Sequence, residues 1–275
     1  MSAMPAEAAL AARPLPPVRG ASPIGFVRDT WIITGRHLLR TRRMPQIVVL
    51  SAVLPVMFVL LFRYVFGGSI RVPGYASYVD YLIPGVLVQT VLFGASSTTV
   101  GLADDLSKGI VDRLRSLPTH RGAILAARTI ADLLRLSYTM LLLIGVGLLV
   151  GFRMHTDAPH VLAGLGVALA FGYACSWGFA LLALGVRQPE TATIASFVVV
   201  FPFVFAASTF TSTATMPAWL RTFADNQPVS QVAGALRALM EGHGAAGPPA
   251  VHALIWSAGI LVVAATAATW RFKKI

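Results

Sequence analysis

The sequence predicts an all-α integral membrane protein with six transmembrane helices, and three observations carry that prediction. Of 275 residues, 56% are hydrophobic and only 12% charged, with a mean hydropathy of +0.73. Soluble chains carry about 25% charged residues, so a soluble domain is excluded; so is a disordered chain, which lacks apolar residues to bury. Six apolar stretches come close to the ~20 residues that cross a hydrocarbon core as a helix, and Lys and Arg are unevenly divided among the segments between them. The net charge of +11 therefore points to a bilayer rather than to nucleic acid, which would need the cations on a soluble face.

Residues 1–23 are rich in Ala and Pro and lack an uninterrupted apolar stretch, so they read as a disordered cytoplasmic tail rather than a secretory signal. Residues 24–45 read as a basic amphipathic helix. At roughly 100° per residue, Val27, Trp31, Thr34 and Leu38 fall on one side and Asp29, Arg36, Arg40 and Arg43 on the other. Such a helix lies flat on the membrane surface, either as a positive anchor or as a contact for a partner. The membrane domain then covers residues 46–275. Its spans are Ile47–Phe66, Leu82–Ala103, Leu133–Phe152, Val161–Val186, Ala192–Phe210 and Val251–Trp270. Arg63 ends the first span, where it can snorkel, and Thr211–Thr215 thin the outer end of the fifth. Pro55 and Pro202 are expected to kink their helices. Gly147 with Gly151, and Ala174 with Gly178, stand at a close-packing spacing.

An even number of spans puts both termini on one side. That side then carries seventeen of the 22 Lys and Arg residues, which assigns it to the cytoplasm and the chain to the cell inner (plasma) membrane as a multi-pass protein. The lone Cys175 has no intrachain disulfide partner.

The segment Asp104–Arg121, between spans two and three, is short, charged with both signs and cytoplasmic. Gly109 and Pro118 bracket a short helix. In it Ile110, Leu114 and Leu117 recur at helical spacing, while Asp112, Arg113 and Arg115 carry charge. A helix of this kind seats in a groove of another protein, or else is a solvated connector.

The basic interfacial helix, the run Gly109–Ile–Val–Asp–Arg–Leu–Arg–Ser–Leu–Pro118 after span two, and Arg128 before span three resemble the membrane subunit of type-2 ATP-binding-cassette exporters. The likeness is strongest to the daunorubicin-resistance-type permeases of actinobacteria. Met216–Pro–Ala–Trp219, Asn226–Gln–Pro–Val–Ser230 and Ala235–Leu–Arg–Ala–Leu239 are similar to the extracellular re-entrant segment that those permeases carry before the last span. The resemblance covers roughly residues 24–272.

The resemblance implies a permease that moves hydrophobic or amphipathic cargo (drug, lipid or polyketide-type) out of the cytoplasm. It would pair with a second permease subunit, as a homodimer or heterodimer, and with two copies of a cassette ATPase. The 104–121 loop becomes a coupling helix docked in the ATPase, with Gly109, Asp112, Arg113, Leu114, Arg115, Leu117 and Pro118 as its contacts. The interfacial helix, with Trp31, Arg36, Arg40 and Arg43, would pack beside it. ATP and Mg would sit on the ATPase, with no cofactor or metal in this chain. A non-transporting membrane scaffold or assembly factor is the alternative.

The residues themselves agree with borrowed energy. No Gly-x-x-x-x-Gly-Lys-Ser/Thr phosphate loop occurs. Carboxylates are expected outside the span interiors, with Asp132 at the edge of span three and Asp80 and Glu190 in loops; ion-driven carriers place such groups at mid-membrane. No catalytic residues are assigned. Ser96 and His252 stand too far apart along the membrane normal for a nucleophile and its base, and His155, His160 and His243 match no metal-ligand spacing. For a substrate path, Phe197, Phe201 and Phe205 share one face of span five, with Gln89 and Phe93 as the counterpart in span two. Lipid is the other neighbour such a phenylalanine stripe suits.

Overall fold

The computed structural model describes residues 23–43, 45–67, 69–70, 72–75, 77–115, 121–186, 188–242 and 247–274. Among them the chain runs as α1 (Pro23–Arg43), α2 (Pro45–Leu61, continued by a π turn Phe62–Phe66), α3 (Tyr78–Ser107), α4 (Ile110–Arg115) and α5 (Arg121–Val150). Then follow α6 (Ala158–Val186), α7 (Pro189–Phe205), a 3-10 turn Thr213–Thr215, α8 (Ala218–Asn226), α9 (Pro228–Glu241) and α10 (Gly247–Lys274). No strand is present among the described residues. A bilayer offers no water to backbone N–H and C=O groups, so each crossing segment must satisfy its own as a helix.

Four helices, α3, α5, α6 and α10, are long and apolar enough to cross a membrane, and the apolar parts of α2 and α7 are shorter. At 17 residues, α7 reaches the lower limit for a span, about 17 residues. It stops at Phe205 rather than the expected Phe210: Ser208 N–H is taken by Ser230 Oγ (3.0 Å) and Ala206 O by Gln227 Nε2 (2.8 Å), and side chains of other helices hold the carbonyls that follow. Tyr78 Oη donates to Phe210 O (2.9 Å), Tyr81 Oη lies within hydrogen-bond reach of both Ser208 O (2.7 Å) and Thr211 O (2.8 Å), its one hydrogen shared between them, and Arg237 Nη2 donates to Ser208 O (2.6 Å). At the other extreme α5 begins at Arg121, well before the expected Leu133. Its first turns carry charges that are neutralised against α3, so the helix continues beyond the apolar layer.

The central element is α3, which packs against α2, α5, α6, α7 and α9. Every residue from Tyr78 to Leu92 is buried. One core gathers around it, and a second, at the Arg/Lys-rich end, joins Ile33 of α1, Leu102 of α3, Val111 of α4, Ile124 of α5 and Phe272 of α10.

Two expectations need correction, the loop placement of Asp80 and Glu190 and the close packing of the small-residue pairs. On α1, Trp31 is 69% exposed, whereas Thr30, Ile33 and Thr34 are buried. Thr34 Oγ1 donates to Ala127 O (3.3 Å), tying α1 to α5 and leaving the larger apolar side chains outward. Asp80 and Glu190 lie in the first turns of α3 and α7 rather than in loops, where a helix N-terminus favours negative charge. Of the small-residue pairs, Gly147 packs on Ile83, but Gly151 turns the chain at φ +106° and a Cβ on Gly178 would meet open space.

Candidate functional site

At the basic end α3 stops at Ser107, and Gly109 takes φ +64°, a left-handed conformation that an L side chain adopts at a cost. That turn redirects the chain into α4, whose first helical bond is Arg113 N–H to Gly109 O (3.2 Å). Val111, absent from the expected Ile110–Leu114–Leu117 ridge, is buried in the core cluster that holds Ile33 of α1, Leu102 of α3 and Ile124 of α5. Arg113 is exposed. Asp112, Leu114 and Arg115 lie on α4, and Arg36, Arg40 and Arg43 on α1, with Arg36 exposed. Leu117, Pro118, the tail 1–22 and His243 lie outside the described residues.

Beneath α4 lies a charge network that the sequence reading missed. Arg128 Nη1 pairs with Asp105 Oδ2 and also donates to Gly101 O (3.1 Å). A Cβ on Gly101 would run into this guanidinium, so a side chain there would require Arg128 to shift. Arg128 Nε stands 3.7 Å from Asp132, which accepts from Thr98 Oγ1 (2.7 Å) and faces Arg135 (3.3 Å). Arg135 also donates to Gly94 O (3.1 Å) and to Ser97 Oγ. Arg128, Asp132 and Arg135 stand four and three residues apart and so share one face of α5. That spacing is legible in the sequence, where Arg128 and Arg135 enter the Lys/Arg count and Arg128 the family resemblance, but their pairing with α3 is not. His37 of α1 lies next to this network, and burial, reinforced by Arg128, pushes its pKa below 6.5.

Two cavities meet at Arg135. One of about 440 Å³ at the basic end is lined by His37, Asp104, Arg128 and Asp132; the other, about 300 Å³, lies among α2, α3, α5 and α7 and is lined by Pro55, Gln89, Phe93, Thr139 and Phe197. Ser97, Val100 and Arg135 line both. The two residue sets expected to form a path are thus brought together. Phe93 meets Phe197 and Phe201 edge-on at 6.1 and 6.2 Å between ring centroids. Phe205 instead stacks with Phe201 (5.1 Å) and turns toward Phe210 (5.7 Å). Gln89 is 2% exposed, and its Oε1 accepts no hydrogen bond among the described residues. A buried acceptor without a donor costs about 1–3 kcal/mol, which a donor on a passing molecule would offset. Ser96 and Ser97 bond back to Phe93 O (2.7 Å) and Gly94 O (2.6 Å) of their own helix.

At the far end α8 and α9 form a helical hairpin. Its tip, Pro228–Val229, lines a cavity with Phe171, and its return end places Leu239 against Gly164, nearer the start of α6. Arg237 holds it in place. It is buried, donates to Tyr81 O (3.1 Å) and to the carbonyls of Ser208 and Thr209, and lies 3.6 Å over the Tyr81 ring. His155 Nδ1 meets Glu241 Oε2 at 2.9 Å, so that histidine has a carboxylate neighbour.

Residues 28–240 match the ABC-2 type transporter family. The chain is 31% identical to the daunorubicin resistance ABC transporter permease protein DrrB1 of Streptomyces coeruleorubidus, over 90% of this chain and 82% of that protein. It is 29% identical to the probable doxorubicin resistance ABC transporter permease protein DrrC of Mycobacterium tuberculosis, over 98% of this chain and 96% of that one. With the matched region running from the surface helix α1 through the re-entrant helix α9, the chain belongs to the ABC-2 type transporter family.

Proposed function

We propose that this chain is the permease subunit of an ATP-driven exporter that moves hydrophobic or amphipathic cargo from the cytoplasm. The drug-resistance roles named for its relatives support drug cargo. ATP and Mg are held by a separate cassette ATPase, two copies of which serve a pair of permease subunits. The basic end faces the cytoplasm, as its excess of Lys and Arg favours, and both termini lie there.

One observation carries the reading: α4 stands at the basic end on a glycine pivot, with Arg113 exposed and Val111 buried in the core cluster shared with α1, α3 and α5. A displacement of α4 reaches α3 and α5 through Val111 and the Arg128 network, and those helices border the Gln89 cavity. ATP binding drives this motion because the closed ATPase dimer favours one arrangement of the two coupling helices over the other. The cavity chain from Asp104 to Phe197 favours passage of a molecule over a purely scaffolding role.

Charge reversal tests the docking. Arg113→Glu with Arg115→Glu is expected to abolish co-purification of the ATPase and drug efflux while the chain still inserts in the membrane. Unchanged association and efflux would overturn the proposal.

A further inference from the structure

A larger cavity, about 670 Å³, lies on the α6–α10 side of the bundle, away from Gln89. Its walls are apolar, among them Phe171, Cys175, Gly178, Val199 and Ile260, and Arg271 is the one charged residue lining it. Arg271 is exposed, and its guanidinium lies over Gly185, 3.7 Å from where a Cβ would stand. No hydrogen bond or ion pair to it occurs among the described residues. Within the next turn Lys274 stacks on Trp270 at 3.6 Å, the pairing of cation and aromatic found at a membrane interface.

The groove has the depth of one leaflet. From Ile260 to Arg271 the helix rises about 16 Å, against half of a hydrocarbon core about 30 Å thick. The tip of the re-entrant hairpin, Pro228–Val229, lines it too, with Leu92 and Phe171. A basic residue where lipid phosphates lie, above an apolar slot one leaflet deep, is a lipid site rather than a cargo path. Cargo would find no buried polar group of the Gln89 kind on these walls, and a second copy of the chain would enclose Arg271 in an apolar seam.

We propose that this groove binds one anionic phospholipid of the leaflet at the basic end, its phosphate paired with Arg271 and one acyl chain lying along Gly178 and Phe171. Phosphate matches the guanidinium fork, and the neighbouring Lys274 disfavours the cationic head of a zwitterionic lipid. The site requires only that the helices stand in a bilayer and is independent of what is exported.

The test is native mass spectrometry of the full chain, co-purified with its ATPase, after reconstitution in nanodiscs of equal parts phosphatidylglycerol and phosphatidylcholine. One retained phosphatidylglycerol per chain is expected. Arg271→Ala should reduce its retention about tenfold, the loss of a charge-assisted hydrogen bond, and Arg271→Lys should restore most of it. Gly178→Leu, which enters open space, should displace the lipid with Arg271 intact. Equal retention of both lipids, or undiminished phosphatidylglycerol in Arg271→Ala, would overturn the proposal. A disulfide between two copies bearing Gly178→Cys, with Cys175→Ala, would also overturn it by making the groove a subunit seam.

Discussion

Arg128 has two carboxylates within reach in a buried setting, and its energetics follow from that asymmetry. Removing one partner of a buried pair leaves uncompensated charge and costs roughly 3–5 kcal/mol, whereas replacing both by apolar groups is often neutral. Arg128→Ala should therefore lower the thermal midpoint in detergent sharply. Arg128→Met with Asp105→Leu should recover part of the loss, and equal midpoints for the two variants would contradict the assignment. His37 gives a pH dependence. Burial, with Arg128 adding and Asp105 and Asp132 opposing, holds its pKa below the ordinary value of 6.5. The folded state then takes up the proton less readily than the unfolded one. The stability His37 contributes is fully present above pH 6.5 and is lost as pH falls from there through the lower folded value. Hydrogen exchange in α1 should accelerate on acidification through that window, and His37→Gln should flatten the response. The charge of these residues was legible in the sequence, but their pairing was not: Asp105 and Arg128 are 23 positions apart, and no local pattern links them.

At the scale of elements, the sequence placed α3, α6 and α10 well because an apolar run in a bilayer has no choice but a helix. Ends were harder to place. The lower limit of α5 depended on whether charges at 128, 132 and 135 could be neutralised, and the end of α7 on donors from α3 and α9. The turn into α4 depends on Gly109. Its Cβ would meet nothing within 4 Å, so a substitution there acts through conformation alone. An L residue in the left-handed region costs about 1–2 kcal/mol, and Asn is the best tolerated. Gly109→Val is expected to weaken ATPase association on the order of tenfold, with Gly109→Asn close to the parent, both read by co-purification. Equal binding by Val and Asn would show that the pivot is not used.

The whole molecule is closed at the end opposite α4 by Arg237, which joins the start of α3, the turn after α7 and the re-entrant helix α9. Arg237→Met keeps the bulk but removes the guanidinium donors to Tyr81 O, Ser208 O and Thr209 O, leaving Ser208 O to Tyr81 Oη alone. Limited proteolysis should then cut between residues 206 and 217 faster, while Arg237→Lys should be intermediate. Unchanged cleavage would mean that the hairpin is held by its apolar contacts alone. By itself the sequence determined the class of the molecule, its span order and the bias of its charges, since hydropathy and Lys/Arg counts are sums along the chain. Only the tertiary structure decided which side of each helix meets protein. In a bilayer both the protein-facing and the lipid-facing sides are apolar, so a helix such as α6 carries no amphipathic signature to read. Gln89 in a cavity wall, Trp31 turned outward and Arg271 over an apolar groove are consequences of packing across distant segments, and no local period in the sequence encodes them.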